Sequence, residues 1–233
     1  MTHAPAAAVA IVLFSLSLTG GAVPPTSGPL QREADGGAAI STLAPLLPVD
    51  EAVTRPDFFA FRAQLQAALA RRDLDAVLPM ISPDVKLSFG GDHGMEGLML
   101  MWRPRAADSE LWGTLSQVLA LGGTFDGDMF AAPYVYSRWP RDVDPFEHVA
   151  LVAADVPVRT APREDAAVLV RGSFDVLPLV RTNTEVEGWT AVRAGNGGTG
   201  YVAAALARSP IDYRAFFERR DGRWQMVIFL AGD

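Results

Sequence analysis

The chain has 233 residues, no cysteine and a formal net charge of −7 at pH 7. Without a thiol it can form no disulfide, carry no lipid on cysteine and use no cysteine nucleophile. The acidic balance also excludes nucleic acid as a partner, because nucleic-acid binding depends on clustered Lys and Arg that neutralise phosphates.

Residues 1–22 have the pattern of a secretory signal peptide. Ala6–Leu18 is an unbroken run of apolar and small residues, and Gly20 and Ala22 offer the small side chains that a cleavage site requires. The run is too short to span a bilayer, which takes about 20 apolar residues. We therefore expect an exported protein of the periplasm or cell envelope. An uncleaved leader that anchors the chain to the membrane is the alternative, because the start of the chain has no Lys or Arg; we expect no other contact with a membrane.

Residues 23–49 are rich in Pro, Gly, Ala and Ser and show no periodicity, which predicts a flexible linker. The first helix is predicted to begin with Thr54 as its cap and Pro56 in its first turn. Apolar residues at spacings of three and four give this helix one buried stripe. The stripe consists of Phe58, Phe61, Leu65, Ala68 and Leu69.

The next segment predicts one strand and two helices before an extended connector. A half-buried strand is predicted at Val85–Phe89, where apolar and polar residues alternate, and residues 82–84 before it predict a turn. Helices are predicted at Met95–Trp102 and from Ser109 onward. Residues 125–147 are rich in aromatic residues and Pro, which favours extended segments.

From His148 the pattern changes to short apolar runs separated by turn signals, which is typical of a small β-barrel. The candidate strands are Val149–Val152, Val156–Thr160, Val168–Val170, Phe174–Val180, Trp189–Arg193 and Gly200–Ala203.

Several of these segments, in this order, resemble the motifs of bacterial SH3-like domains. The similar segments are Val156–Pro162 (VPVRTAP), Val168–Gly172 with Phe174–Val180, Gly188–Val192 (GWTAV) and Gly200–Val202 (GYV). The resemblance covers about 60 residues and implies an SH3-like barrel over residues 148–208. Pro157 departs from the family pattern, in which a polar residue usually stands at this position.

The resemblance also implies where such a barrel would bind a ligand. Some barrel aromatics of this family line a peptide or glycan groove, which indicates Trp189 and Tyr201, with Arg159 and Asp175 as charges at its rim. For Trp189 a second role stays open, because the tryptophan of this motif is more often part of the core.

A strong hairpin signal ends the sequence, with Asp221-Gly222 as a two-residue turn between two apolar segments. Phe61–Gly91 together with Phe216–Phe229 resembles the beginning and end of nuclear-transport-factor-like cone folds. This implies one discontinuous α+β domain, residues 50–147 plus 211–233, with the barrel inserted in it. The alternative is a helical domain followed by a barrel that the final hairpin extends. The fold class is α+β.

SH3-like barrels of this family often accompany cell-wall hydrolases, whose chemistries the sequence largely excludes. Zinc hydrolases need several His and carboxylate ligands, whereas only His93 and His148 follow the leader. Lys86 is the only lysine and lies in no Ser-x-x-Lys motif, and no Gly-x-Ser-x-Gly occurs. Asp126 and Asp128 lack the further oxygen ligands that calcium requires. We expect no metal and no cofactor.

Two-carboxylate or acid–base chemistry stays open as an alternative. Asp92, His93 and Glu96 follow a predicted strand and are the candidates for a pocket in the cone-like domain, where burial can tune a pKa. Such a pocket would serve a small-ligand binder or an acid–base enzyme. The competing interpretation is a Gly-rich turn in which Asp92 caps the following helix and His93 faces water.

The leading hypothesis is a non-catalytic exported envelope protein. Its SH3-like barrel would bind a cell-wall component such as peptidoglycan, or an envelope protein. A third, purely structural reading is that the barrel packs on the cone as a rigid adaptor.

Overall fold

The structure is a computed structural model that describes residues 40–181, 186–195 and 197–232. The predicted signal peptide, residues 1–22, and the first part of the predicted linker lie outside these residues. The helices are α1 (Pro56–Ala70), α2 (Leu74–Val77), α3 (Gly94–Trp102), α4 (Leu111–Ala120) and α5 (Tyr134–Ser137). The strands are β1 (Ile81–Lys86), β2 (Thr124–Asp126), β3 (Met129–Ala132), β4 (His148–Leu151), β5 (Val156–Arg159), β6 (Val168–Gly172), β7 (Val176–Pro178), β8 (Trp189–Arg193), β9 (Thr199–Ala203), β10 (Ala207–Arg208), β11 (Arg214–Arg220) and β12 (Arg223–Leu230).

The C-terminal hairpin forms the centre of a five-stranded sheet with the order β1-β12-β11-β3-β2. β1 runs parallel to β12, and β3 runs antiparallel to β11. The hairpin therefore pairs with strands from the N-terminal half of the chain, and residues 148–208 lie between them in sequence. Its two turn residues, Asp221 and Gly222, have φ values of 50° and 78°, the conformation that an Asp-Gly hairpin turn requires.

Helices α1 and α4 share a core with the five-stranded sheet. The stripe predicted on α1 is confirmed, since Phe58, Leu65 and Leu69 are buried. The ring of Phe58 lies 4.4 Å from that of Phe130 and 5.7 Å from that of Phe217, centroid to centroid. Aromatic rings at such distances pack closely, so side chains fill the space between α1 and the sheet.

Residues 148–208 form two open sheets, with the orders β10-β4-β7 and β6-β5-β9-β8. A single bridge, Leu179 to Val192, joins them at one side among the described residues. The predicted closed barrel is not formed, because β6 and β10 at the other side belong to different sheets and do not pair. The α+β fold class is confirmed, and the SH3-like identity of this region stays a prediction.

The two sheets enclose one apolar core, to which alternate residues of most of their strands contribute. Its buried members include Val149, Leu151, Val156, Val158, Leu177, Val192 and Val202. The alternation that predicted these strands therefore also determines which residues face away from the core.

Residues 40–49, the end of the predicted linker, pack against the fold. Ile40 and Leu46 are buried. The Ser41 hydroxyl donates a hydrogen bond to the Val176 carbonyl (2.8 Å), and the Leu46 amide donates to the Phe174 carbonyl (2.8 Å). Pro45 and Pro48 interrupt the apolar residues of this segment, so it shows neither a helical nor a strand pattern that would predict packing.

The start of α1 differs from the prediction. Thr54 ends a 3₁₀ turn, in which its hydroxyl donates to the Glu51 carbonyl (2.7 Å), and it does not cap the helix. Arg55 occupies the cap position and makes no side-chain capping hydrogen bond, while Pro56 begins the helix as predicted.

The first strand was predicted at Val85–Phe89 and instead spans Ile81–Lys86, so the turn predicted at residues 82–84 is wrong. Pro83 is tolerated because β1 is an edge strand, where a missing N–H removes no ladder bond. Arg220 of β11 donates hydrogen bonds to Ser82 (3.1 Å) and Asp84 (2.7 Å), which also ties these turn-like residues to the sheet.

Candidate functional site

The outer face of the four-stranded sheet brings together three of the four predicted binding residues. In β5, β8 and β9 the buried residues are Val158, Val192 and Val202. Residues an odd number of positions away from them in the same strand point to the opposite face. Arg159, Trp189 and Tyr201 therefore lie on the face turned away from the core, and each is half-buried.

Pairing across the strands places two of these residues, Arg159 and Tyr201, in one row with Val168 and Ala191. Arg159 pairs with Val168 on one side and with Tyr201 on the other, and Tyr201 pairs with Ala191. Directly paired side chains of antiparallel strands contact one another on the same face. Val168, Arg159, Tyr201 and Ala191 thus cross the whole sheet; we call them the sheet row.

Trp189 lies beside the sheet row, two residues before Ala191 on β8 and opposite Ala203. At this diagonal spacing, about 7–8 Å, an indole and a phenol can contact one ligand together. The tryptophan is half-buried, so the structure gives it both a packing role and an outward edge.

The cation of Arg159 has a fixed position in the sheet row. Its guanidinium donates a hydrogen bond to the Ala166 carbonyl (2.8 Å), in the connection between β5 and β6. Among the residues that the structure describes, no carboxylate lies within ion-pair distance of Arg159. A positive charge paired directly with Tyr201 is therefore available to an acidic or polar ligand.

Asp175 lies outside this arrangement, in the turn between β6 and β7. Its carboxylate accepts a hydrogen bond from the Ser173 amide (2.7 Å), and its carbonyl accepts one from the Leu151 amide (2.8 Å). Both contacts stabilise the backbone of the turn. Asp175 is thus placed as a turn residue and is not brought to the sheet row.

The alternative candidates Asp92, His93 and Glu96 are exposed at the loop before α3 and in its first turn. Asp92 accepts a hydrogen bond from the Ser88 hydroxyl (2.8 Å), and His93 Nδ1 lies 2.6 Å from the Gly91 carbonyl oxygen. Asp92 does not cap α3, whose N-cap is His93 without a side-chain capping bond. None of these three residues lines any of the three cavities found near α1, α3 and the C-terminal hairpin.

Sequence reasoning missed a cavity of about 500 Å³ at one end of the five-stranded sheet. It is lined by Arg55, Asp57, Asp128, Arg219, Gly222 and Trp224. These residues come from the start of α1, the turn between β2 and β3 and the β11–β12 hairpin, which are far apart in sequence. No local motif joins them, so only the pairing of the hairpins could have indicated the site.

A scan against models of known protein families finds no match, and a search of the curated proteins finds no significant match. Within the described ranges, no helix has the length and apolar character needed to cross a bilayer. The same ranges contain no group of three or more His, Asp or Glu side chains arranged to hold a metal ion.

Proposed function

We propose that the protein is a non-catalytic, exported envelope protein whose SH3-like region binds a cell-wall component or a protein partner. The observation that carries this proposal is the sheet row, where Tyr201 is paired directly with Arg159, a cation that has no carboxylate partner among the residues the structure describes. Tyrosine, tryptophan and arginine are the residues that most often dominate the energy of a binding surface.

The surroundings of the sheet row also support a binding surface. Val168, which forms one end of the row on β6, is 40% exposed. Val186, just before β8, is 38% exposed. Apolar side chains grouped around a few polar contacts are the usual composition of a recognition site. A glycan or peptide could stack on the aromatic rings while an acidic group pairs with the guanidinium.

Retention of the purified protein on purified peptidoglycan tests the wall-binding version. We expect sedimentation with the sacculi at low salt and partial release at high salt, because an exposed guanidinium contact is screened by ions. A protein that stays fully in the supernatant at low salt would remove this version.

Three variants connect any retention to the sheet row. Tyr201→Ala and Arg159→Gln should each weaken retention by about tenfold or more, the loss expected when a central contact of an interface is removed. Tyr136→Ala is the matched control, because Tyr136 is a partly exposed tyrosine elsewhere on the protein. Equal retention of Tyr201→Ala and the control would exclude the sheet row as the contact.

A photo-crosslinking amino acid at Ala191 tests the version with a protein partner. This small residue lies in the sheet row, so a crosslinker there would touch a bound protein in the cells that produce the chain. The control position is Leu100, which is 80% exposed on α3. We expect one product that depends on position 191; identical products from both positions would count against the proposal.

Export is the remaining part of the proposal and is supported by the pattern of residues 1–22 alone. Cell fractionation of the full chain with a C-terminal tag should recover it outside the cytoplasm. Its mass should be lower by the leader if the signal is cleaved. Recovery of the intact chain in the cytoplasm would refute export.

A further inference from the structure

The cavity of about 500 Å³ at the end of the five-stranded sheet has charges of both signs on its wall. Arg55 and Asp57 come from the start of α1. Asp128 comes from the turn between β2 and β3, and Arg219 from the end of β11. The two arginines and two aspartates are arranged as two ion pairs, Arg55 with Asp128 (3.2 Å) and Arg219 with Asp57 (3.5 Å).

Within the first pair the cation is fixed and the anion is replaceable. The Arg55 guanidinium lies 4.0 Å from the ring centroid of Phe125 and donates a hydrogen bond to the Gly127 carbonyl (2.7 Å). Neither contact depends on Asp128, whose side chain is 99% exposed. An exposed carboxylate gains little from such a pair, so another carboxylate can take its place.

Within the second pair the anion is fixed and the cation is replaceable. The indole N–H of the buried Trp224 donates a hydrogen bond to Asp57 (2.9 Å). This bond holds the pKa of Asp57 below its ordinary value, so the carboxylate stays charged. The Arg219 side chain is 57% exposed and also donates to the Gly222 carbonyl of its own turn (3.2 Å), so it can withdraw without losing every partner.

We infer that this cavity binds a free α-amino acid as a zwitterion, with its carboxylate on Arg55 and its ammonium on Asp57. A ligand with only one charge would match one fixed group and leave the other without a new partner. An α-amino acid carries both charges on one carbon, and the two fixed groups line the same cavity. The indole of Trp224 supplies an apolar wall for the side chain of the ligand.

Nuclear magnetic resonance of the ¹⁵N-labelled full chain tests this site directly. The protein has five tryptophans, and Trp224→Phe identifies the indole signal of Trp224 by its disappearance. The probes are glycine, L-alanine, L-leucine and L-glutamine, each added to about 10 mM at constant ionic strength. We expect a saturable shift of this signal with at least one of them, with a dissociation constant of about 0.1–1 mM, ordinary for so small a ligand.

Blocked ligands separate the zwitterion from simpler ligands. The N-acetyl and methyl ester derivatives of the best probe each lack one charge and should bind at least about tenfold more weakly. Equal affinity of the N-acetyl derivative would mean a simple anion site, and equal affinity of the ester a simple cation site. Either result, or no saturable shift with any amino acid, overturns the proposal without bearing on the sheet row.

Four variants distinguish the fixed groups from the replaceable ones. Arg55→Met and Asp57→Asn should weaken binding by about tenfold or more. Asp128→Ser and Arg219→Gln should leave it equal or stronger, because each removes a competitor of the ligand. Arg71→Gln is the control, an exposed arginine that pairs with Asp73 outside this cavity. Losses as large in the Asp128 and Arg219 variants as in the other two would refute the assignment.

Discussion

Asp50 and Arg62 form a two-armed ion pair in which only the carboxylate reaches solvent. The two guanidinium nitrogens of Arg62 donate to the two carboxylate oxygens of Asp50 at 2.7 and 2.6 Å. The Arg62 side chain is 8% exposed and that of Asp50 is 38% exposed. The pair therefore joins the buried face of α1 to the segment that enters the helix.

This unequal burial predicts unequal effects of the two truncations. Asp50→Ala leaves a buried guanidinium without its partner and should lower the free energy of unfolding by about 3 kcal/mol. Arg62→Leu leaves a carboxylate that water can reach and should cost about 1 kcal/mol. Urea unfolding of both variants measures this difference.

The double variant and an exposed pair serve as controls for the ion pair. Adding Asp50→Ala to Arg62→Leu should cost little more, because the two effects share one interaction. Asp165→Ala, which breaks an exposed pair with Arg163, should change stability by less than about 1 kcal/mol. Equal losses for Asp50→Ala and Arg62→Leu would contradict the asymmetry.

The hydroxyl of Tyr134 is buried without a hydrogen-bond partner among the described residues, and burial raises its pKa to about 12. Tyr134→Phe removes this hydroxyl and should be neutral or stabilising by about 1 kcal/mol. The folded chain holds the proton more tightly than the unfolded one. Ionisation of Tyr134 should therefore leave the free energy of unfolding unchanged below pH 10 and lower it as the pH rises from 10 towards 12.

Thermal unfolding at neutral pH measures the stability of Tyr134→Phe, and tyrosinate absorbance at high pH measures the pKa of Tyr134. Tyr136→Phe is the control, because Tyr136 is a partly exposed tyrosine on the same helix. A loss of more than about 1 kcal/mol in Tyr134→Phe would mean that the hydroxyl has a partner in solution, such as a buried water.

Asp57 should make stability sensitive to acid. The hydrogen bond from Trp224 is the largest effect and lowers the pKa of Asp57 below the ordinary 3.8. Burial opposes it as the second-largest effect, and the Phe58 backbone amide and the charge of Arg219 lower the pKa further. The pKa of Asp57 is lower in the folded chain than in the unfolded chain. The stabilisation that ionised Asp57 gives the fold is therefore complete above pH 3.8 and disappears as the pH falls through the folded pKa.

Asp84 also has a lowered pKa, chiefly through its hydrogen bond with Ser82, so it too makes the native chain sensitive to acid. Comparison of the native chain with Asp57→Asn separates the effect of Asp57 from that of Asp84. Below pH 3.8 the native chain should lose stability more steeply than the variant. Carboxyl titration by nuclear magnetic resonance should show the pKa of Asp57 rising in Trp224→Phe. A native pKa at or above 3.8 would contradict this prediction.

Local patterns predicted the elements whose structure depends on neighbouring residues. The Asp221-Gly222 turn, the apolar stripe of α1 and the alternating valines of residues 148–208 all follow from spacing within one segment. The resemblance to SH3-like domains indicated Arg159, Trp189 and Tyr201 as candidates, and the alternation of their strands places all three on one face of the sheet. Their role in binding stays a prediction. The sheet row itself depends on strand register, which the sequence alone left undetermined.

Features that depend on distant pairing could not be predicted. The arrangement of the two sheets is open because the edge strands β6 and β10 do not pair. The strand at Ile81–Lys86 is held by a hydrogen bond from Arg220, more than a hundred residues later in the sequence. Asp175 has the residue type of a groove charge, yet the Ser173 amide places it in a turn. The residue type of Asp175 indicated a charge for the groove, but only the backbone structure showed that this charge lies in the turn between β6 and β7.

Gly123 and Gly200 both lack room for a side chain, but their neighbours differ in how far they can move. A Cβ on Gly123 would overlap the backbone carbonyl of Ala131, which β2 and β3 hold in register. A Cβ on Gly200 would overlap a methyl group of Val158, a side-chain atom whose position strand pairing does not fix. We therefore expect Gly123→Ala to cost about 3 kcal/mol and Gly200→Ala about 1 kcal/mol, the upper and lower ends of the overpacking range.

Chemical denaturation of the two alanine variants measures this order, and Gly113→Ala is the control, since nothing lies near its added Cβ and alanine favours a helix. Combining Gly200→Ala with Val158→Ala should recover part of the loss in core packing, because the smaller side chain makes room for the new methyl group. No reduction at position 131 can relieve Gly123→Ala in the same way, because the overlapping atom belongs to the backbone. A greater loss in Gly200→Ala than in Gly123→Ala would mean that the core around Val158 is the more rigid of the two sites.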